Sequence, residues 1–139
     1  MMHVMVVTTL LLASSAAVEP VACDLVDVAA AESILGANPM QLSDASTPDI
    51  CMYMKADGSA TLMAQVFGAE MYDATPIHPR TAVEIGDRGR YNEDASGTAI
   101  VQFAKGQFSM RIAVTARSAP KASYLPALLA VARSAAAGM

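Results

Sequence analysis

The stretch TAIVQFAKGQFSMRIAVTA, Thr98–Ala116, constrains this chain more than any other. Two runs of alternating residues flank a Lys-Gly pair, the pattern of a β-hairpin. With Lys105-Gly106 as the turn, Phe103 faces Phe108, Val101 faces Met110 and Ala99 faces Ile112. All six fall on one face. Gln102, Ser109 and Arg111 fall on the other, with Ile100 as the exception. A slip of one residue would mix the two sets, so the alternation fixes which side of the sheet is apolar.

A second hairpin precedes it. In DICMYMKADGSATLMAQVF the Asp57-Gly58 pair is a two-residue turn signal. It pairs Cys51 with Ala64, Met52 with Met63, Tyr53 with Leu62 and Met54 with Thr61. One face then carries Cys51, Tyr53, Leu62, Ala64 and Val66. The other carries Met52, Met54, Met63, Gln65 and Phe67.

Helices close the pattern at both ends. CDLVDVAAAESILG reads as a short helix with Asp27 as N-cap, Val28 to Leu35 as body and Gly36 as the residue that turns left-handed. SYLPALLAVARSAAAGM places Leu125, Leu128, Leu129, Ala132 and Ala136 on one stripe. Ser123 is its expected cap, and Pro126 sits in the first turn, where a missing N–H is harmless. Between the hairpins the chain is long and turn-rich, with a short strand expected near Ala82–Ile85. The expected fold is α+β: an antiparallel sheet of four or five strands, with the N-terminal and C-terminal helices packed on one face. Cys23 begins the first helix and Cys51 points to the helix-covered face.

The chain opens with an apolar run, Val4–Leu12, followed by small residues. That is the layout of a signal peptide over residues 1–17, although its start, Met-Met-His, lacks Lys or Arg. Cleavage after Ala17 would put Ser15 and Ala17 at the two small-residue positions. Residues 18–139 are then expected to form a single exported domain, periplasmic or extracellular. A lipid anchor on Cys23 is disfavoured, because Pro20 stands where such signals carry a leucine-like residue. Two cysteines in a short exported chain read as one disulfide, Cys23–Cys51. No segment of the mature chain reaches the roughly 20 apolar residues of a membrane-spanning helix.

Composition excludes some partners. Net charge is −4 and there is no Trp, so nucleic acid is not an expected partner. Nine acids and Lys55 lie between Glu19 and Asp73; beyond Ala74 there are four acids and eight bases. The cationic part reads as solvated surface, or as a weak anion-facing patch around Arg80, Arg88 and Arg90.

The order of ACDLVDVAAAESILG, a second cysteine opening a strand, VEIGDRGRY, AIVQFAKGQFSMRIAV and LPALLAVARSAAAG resembles a class of small exported bacterial domains of unknown function, many of them lipoproteins. Their pattern is a Cys-Asp-Leu start, a Gly-Leu-Gly-Asp-x-Ala-Tyr turn, a strand–Lys-Gly–strand hairpin and an alanine-rich closing helix. This chain departs at Glu84, which replaces the first glycine, and at Arg90, which delays the tyrosine to Tyr91. The resemblance implies an α+β fold, export and a Cys23–Cys51 bridge. It implies no activity.

Catalytic chemistry finds little support. A Ser–His–acid triad would need His78, with Asp73 or Asp87, and a serine on a presented turn, and no such element is present. Glu93-Asp94 adjoin without the spacing of an acid–base pair. The expected role is therefore non-enzymatic, and a hydrolase is the weakest alternative. Zinc lacks ligands once the cysteines are oxidised. Copper(I) suits thioethers, and Met52, Met54 and Met63 are its candidate ligands. No other cofactor is expected. The leading expectation is a binding module in the periplasm or cell envelope. Its face of Met52, Met54, Met63 and Phe67 would dock a protein partner, a second copy or a small apolar ligand.

Overall fold

The computed structural model describes residues 18–74 and 80–139. The expected signal segment, residues 1–17, and His78 lie outside them. Seven strands form one antiparallel sheet: β1 Met40–Gln41, β2 Ile50–Met54, β3 Ala60–Gly68, β4 Thr81–Val83, β5 Arg88–Glu93, β6 Ala99–Lys105 and β7 Phe108–Ala116. Their spatial order is β1-β2-β3-β7-β6-β5-β4. Two meanders, β1 to β3 and β4 to β7, are therefore joined along β3 and β7, whose nine residue pairs run from Ala60 opposite Ala116 to Gly68 opposite Phe108.

Seven strands exceed the four or five expected. β1 is two residues long and follows Pro39, too short to show a period. β5 reads Arg-Gly-Arg-Tyr-Asn-Glu, and its buried positions are Gly89 and Arg90. A strand whose buried side chain is an arginine does not show apolar alternation. β4 overlaps the short strand expected near Ala82–Ile85, and Ile85 lies beyond its end, buried in the core.

The β2–β3 register matches the expected pairing: Cys51 opposite Ala64, Met52 opposite Met63, Tyr53 opposite Leu62 and Met54 opposite Thr61. The turn itself is wider. Lys55 N–H reaches Ala60 C=O at 2.9 Å, so four residues, 56–59, make the loop. Gly58 takes φ +75° in it, and Asp57 accepts from the Ser59 N–H and hydroxyl. A two-residue and a four-residue loop with the same centre give the same pairs, which is why the register survives. The Ser59 hydroxyl, foremost, holds the Asp57 carboxyl below its ordinary pKa.

The β6–β7 register differs from the expected one by two residues. Lys105 lies opposite Phe108, Phe103 opposite Met110, Val101 opposite Ile112 and Ala99 opposite Val114. Gly106, at φ +59°, takes the first central position of the turn and Gln107 the second. Glycine in the first place is the demand of a II′ hairpin turn, and it moves the turn one step along the chain. A two-residue shift in pairing preserves side, so the face assignments stand. The preceding Ile85–Asp87 corner locks this turn: Asp87 N–H bonds Ala104 C=O at 2.8 Å, and its carboxylate accepts Gly106 N–H at 2.8 Å. A Cβ on Gly86 would stand 2.6 Å from Ala104 O, so the corner requires glycine.

Among the described residues four α-helices accompany the sheet: α1 Ala22–Leu25, α2 Val28–Leu35, α3 Met71–Ala74 and α4 Leu125–Ala137. Asp27 caps α2 by accepting Ala30 N–H at 2.9 Å, and Gly36 ends it at φ +87°. α4 begins one residue later than a Ser123 cap would place it. Tyr124 is its N-cap, although the Ser123 hydroxyl still accepts Leu125 N–H at 3.1 Å. Ala31, Ile34 and Leu35 of α2 and Leu128, Val131 and Ala132 of α4 share one core with Cys51, Tyr53, Leu62, Val101, Phe103 and Ile112. This is the inner face. Tyr53 donates to Val26 C=O at 2.9 Å within it, and burial, with Asp27 adding, raises the phenol's pKa, so it remains a neutral donor.

The Cys23–Cys51 disulfide ties α1 to β2 across 28 residues. Closing such a loop removes denatured-state entropy equivalent to about 3–4 kcal/mol.

Candidate functional site

The other side of the sheet, the outer face, is built from two unlike halves. On the β1–β2–β3 half, alternation turns Met52 and Met54 outward because Cys51 and Tyr53 turn inward. Pairing puts Met63 directly opposite Met52. β1 adds a fourth methionine that the sequence pattern did not show: Met40 lies opposite Met54. Opposed residues on antiparallel strands have Cα atoms about 4.5–5.5 Å apart. Met52 and Met54 are two residues apart on one strand, about 6.5–7 Å. Met52, Met54 and Met63 are half-buried, and Met40 is 54% exposed.

The strand under these side chains is held on both edges. β3 bonds one edge of β2. On the other, Met52 C=O accepts Leu42 N–H at 2.9 Å and Met52 N–H donates to Ser46 Oγ at 3.2 Å. The open edge that a strand ordinarily presents is thus closed at Met52.

The β5–β6–β7 half is polar and covered. α3, on the link that leaves β3, lies over it. Arg90 is 6% exposed and Gln102 3%. Arg90 Nε donates to Gln102 Oε1 at 2.9 Å, and its Nη2 donates to the carbonyl of Tyr72. The Tyr72 ring lies 4.2 Å from the Arg90 guanidinium carbon and 4.5 Å from that of Arg88, a double cation–π contact. Arg88 also bridges to Asp73 at 3.2 Å. Ser109 Oγ fixes the start of the link by donating to Gly68 C=O at 2.9 Å.

The residues singled out in the sequence divide accordingly. Met52, Met54 and Met63 adjoin each other. Phe67 does not join them. It lies four residues beyond Met63, opposite Ser109, in the close-packed crevice with Tyr72 and Gln102. Arg80 and Arg90 line one cleft with Tyr72 and Asp73, but Arg90 is buried and Arg88 is paired with Asp73. The candidate acids have structural partners. Asp73 holds Arg88, Asp87 holds Gly106, Glu93 accepts from Ser123, and Asp94 accepts from Ser96 and Thr98. The Ser96 hydroxyl, foremost, keeps the Asp94 carboxyl below its ordinary pKa. Cys23 and Cys51 are joined to each other.

On the helix side, an open groove of about 690 Å³ runs past Ser33, Lys55, Asp57, Lys121 and Tyr124. Its charges are of both signs, and Lys55 Nζ rests 3.4 Å from Tyr124 Oη. Among the described residues, no group of three or more His, Cys, Asp or Glu side chains could hold a metal ion, and no helix is long and apolar enough to cross a membrane.

Comparison with protein-family models, with curated proteins and with solved structures finds no match.

Met40 and the Arg90 cluster are the residues that sequence reasoning missed. Met40 stood in a loop dense in Asn, Pro and Ser. Arg90 had one signal: an arginine at an outward position within a strand, with a tyrosine upstream able to stack on it.

Proposed function

We propose that this chain is an exported, non-catalytic binding domain of the periplasm or cell envelope. Its binding surface is the outer face of β1–β3, and its partner is an apolar surface of another protein. One observation carries this reading. Met40, Met52, Met54 and Met63 lie side by side on paired strands of the sheet, and among the described residues the segment that covers the outer face lies on the polar half. Methionine is suited to the role. It is flexible and polarizable, and it adapts to an apolar counterpart without a fixed shape. The disulfide supports an oxidising compartment. The structural partners of Asp73, Asp87, Glu93 and Asp94 support a role without general acid–base chemistry.

The test places a photo-crosslinking residue at Thr61, on the outer face beside the cluster, and at Ala130, exposed on α4, as a control. In cells, a discrete adduct is expected from position 61 and none from 130. The adduct should vanish when Met52→Asp and Met63→Asp are combined, while the purified double variant keeps its thermal midpoint within a few degrees. An adduct that survives the double variant would refute the surface. A double variant that unfolds would show these methionines to be core, with the same consequence.

A further inference from the structure

We infer that this face also holds a site for a soft monovalent metal ion, with copper(I) as the ion of that class. Met52 and Met54 supply two thioethers, and Met63 or Met40 supplies the third. The inference rests on the reading of the methionine half as the binding surface and names a ligand for it.

Register carries the argument. Met52 stands opposite Met63 and Met54 opposite Met40, so Met52 and Met54 belong to two overlapping trios. Within each trio the diagonal pair is about 7–8 Å apart, which long side chains span. Three rotatable bonds in each methionine let the sulfurs converge on one point above the strand. Met40 and Met63 occupy opposite corners, two strand spacings apart, about 9–10 Å, and offset along the strands. One ion therefore takes one of them, not both.

The ligand chemistry selects the ion. Thioethers are soft and uncharged, which favours copper(I) over zinc or magnesium. The remaining outward positions of β2, β3 and β7 near the cluster are Ile50, Thr61, Gln65, Arg111, Ala113 and Thr115. None of these sheet positions is a carboxylate, and Arg111, one row away, opposes a second positive charge. A monovalent ion meets the smallest penalty. The two cysteines do not compete as thiolates, because they are bonded to each other. Met52, Met54 and Met63 are half-buried, so their side chains are reachable from solvent without being fully exposed.

The experiment is a competition titration of the full disulfide-bonded chain with copper(I), without oxygen, against a chromophoric copper(I) chelator. One equivalent should be withdrawn from the chelator. Met52→Leu combined with Met54→Leu should weaken binding at least tenfold, since leucine keeps the shape and removes the sulfur. In parallel, silver(I) should shift the methyl NMR signals of Met52 and Met54 but not that of buried Met110. Failure of the wild-type chain to compete, or equal binding by the leucine variant, overturns the site. The leucine variant keeps the apolar face, so the adduct from position 61 should persist in it. A persisting adduct without copper binding removes the metal site and leaves the docking surface. Copper binding without any adduct does the reverse.

Discussion

The two halves of the outer sheet face meet the same requirement with opposite chemistry. Across β5, β6 and β7 the outward positions include Arg90, Gln102 and Ser109, and all three are buried. Polar groups removed from water are costly unless matched, and the chain matches most of these with its own segment: the carbonyl and ring of Tyr72 serve Arg90, and Gly68 C=O accepts from Ser109, while Arg111 Nε is buried beside them without a hydrogen bond among the described residues. Across β1, β2 and β3 the outward positions are Met40, Ile50, Met52, Met54, Thr61, Met63, Gln65 and Phe67, most of them apolar side chains that need no specific partner. Hydrogen-bonding demand decides where the cover must lie. The apolar half can stay uncovered at little hydrogen-bonding cost, whereas an uncovered polar half would leave a charge stranded on the sheet.

The contrast can be broken most severely at Arg90. Arg90→Ala leaves Gln102 and the Tyr72 carbonyl without their charged donor, and should cost about 3 kcal/mol in urea denaturation. A loss below about 1 kcal/mol would mean that the cover is not held through this side chain. Tyr72→Leu keeps bulk and backbone but removes both ring–guanidinium contacts, and about 2 kcal/mol should be lost. On the other half, Met52→Leu with Met63→Leu preserves volume and should change stability by less than about 1.5 kcal/mol. A larger effect would place those methionines in a second core.

The exposed Arg88–Asp73 bridge sharpens the comparison. Its two side chains are 50% and 69% exposed, and Asp73→Asn should shift stability by no more than about 0.5 kcal/mol. The smallest effect lies in the turns. Asp57 and Asp94 are both held below the ordinary carboxylate pKa by a serine two residues on. A lowered folded value means that their share of stability is present above the unfolded value and is lost as pH falls through the folded one. Ser59→Ala or Ser96→Ala should move the matching carboxyl titration upward by NMR. An unmoved curve would discount the hydroxyl.

Local chemistry made much of this legible in advance. Asp27 and Gly36 bounded α2 because cap and left-handed turn need those residues, and the Asp57-Gly58 turn set Met52 against Met63. The β6–β7 pairing was misread by two residues because two adjacent placements of a Lys-Gly turn keep the same faces. Only the hairpin twist, which wants glycine first, separates them. The Arg90 cluster was hidden for a different reason. Its partners, Tyr72 and Gln102, lie 18 and 12 residues away and become neighbours only through the sheet. Phe67 read as a member of the methionine face because alternation gives the side of a strand, but not which outward positions another segment will cover.

The seam between β3 and β7 has a kinetic consequence. Each meander can zip up from local turns, but the core lies across both, and its central pairing waits for a strand encoded well after β3. Closing that long loop comes before most of the burial that rewards it, which places this topology among the slower folders of its size. Until β7 arrives, β3 presents nine residues of open edge. A chain emerging from a ribosome therefore passes through a stage at which it can recruit a stray strand.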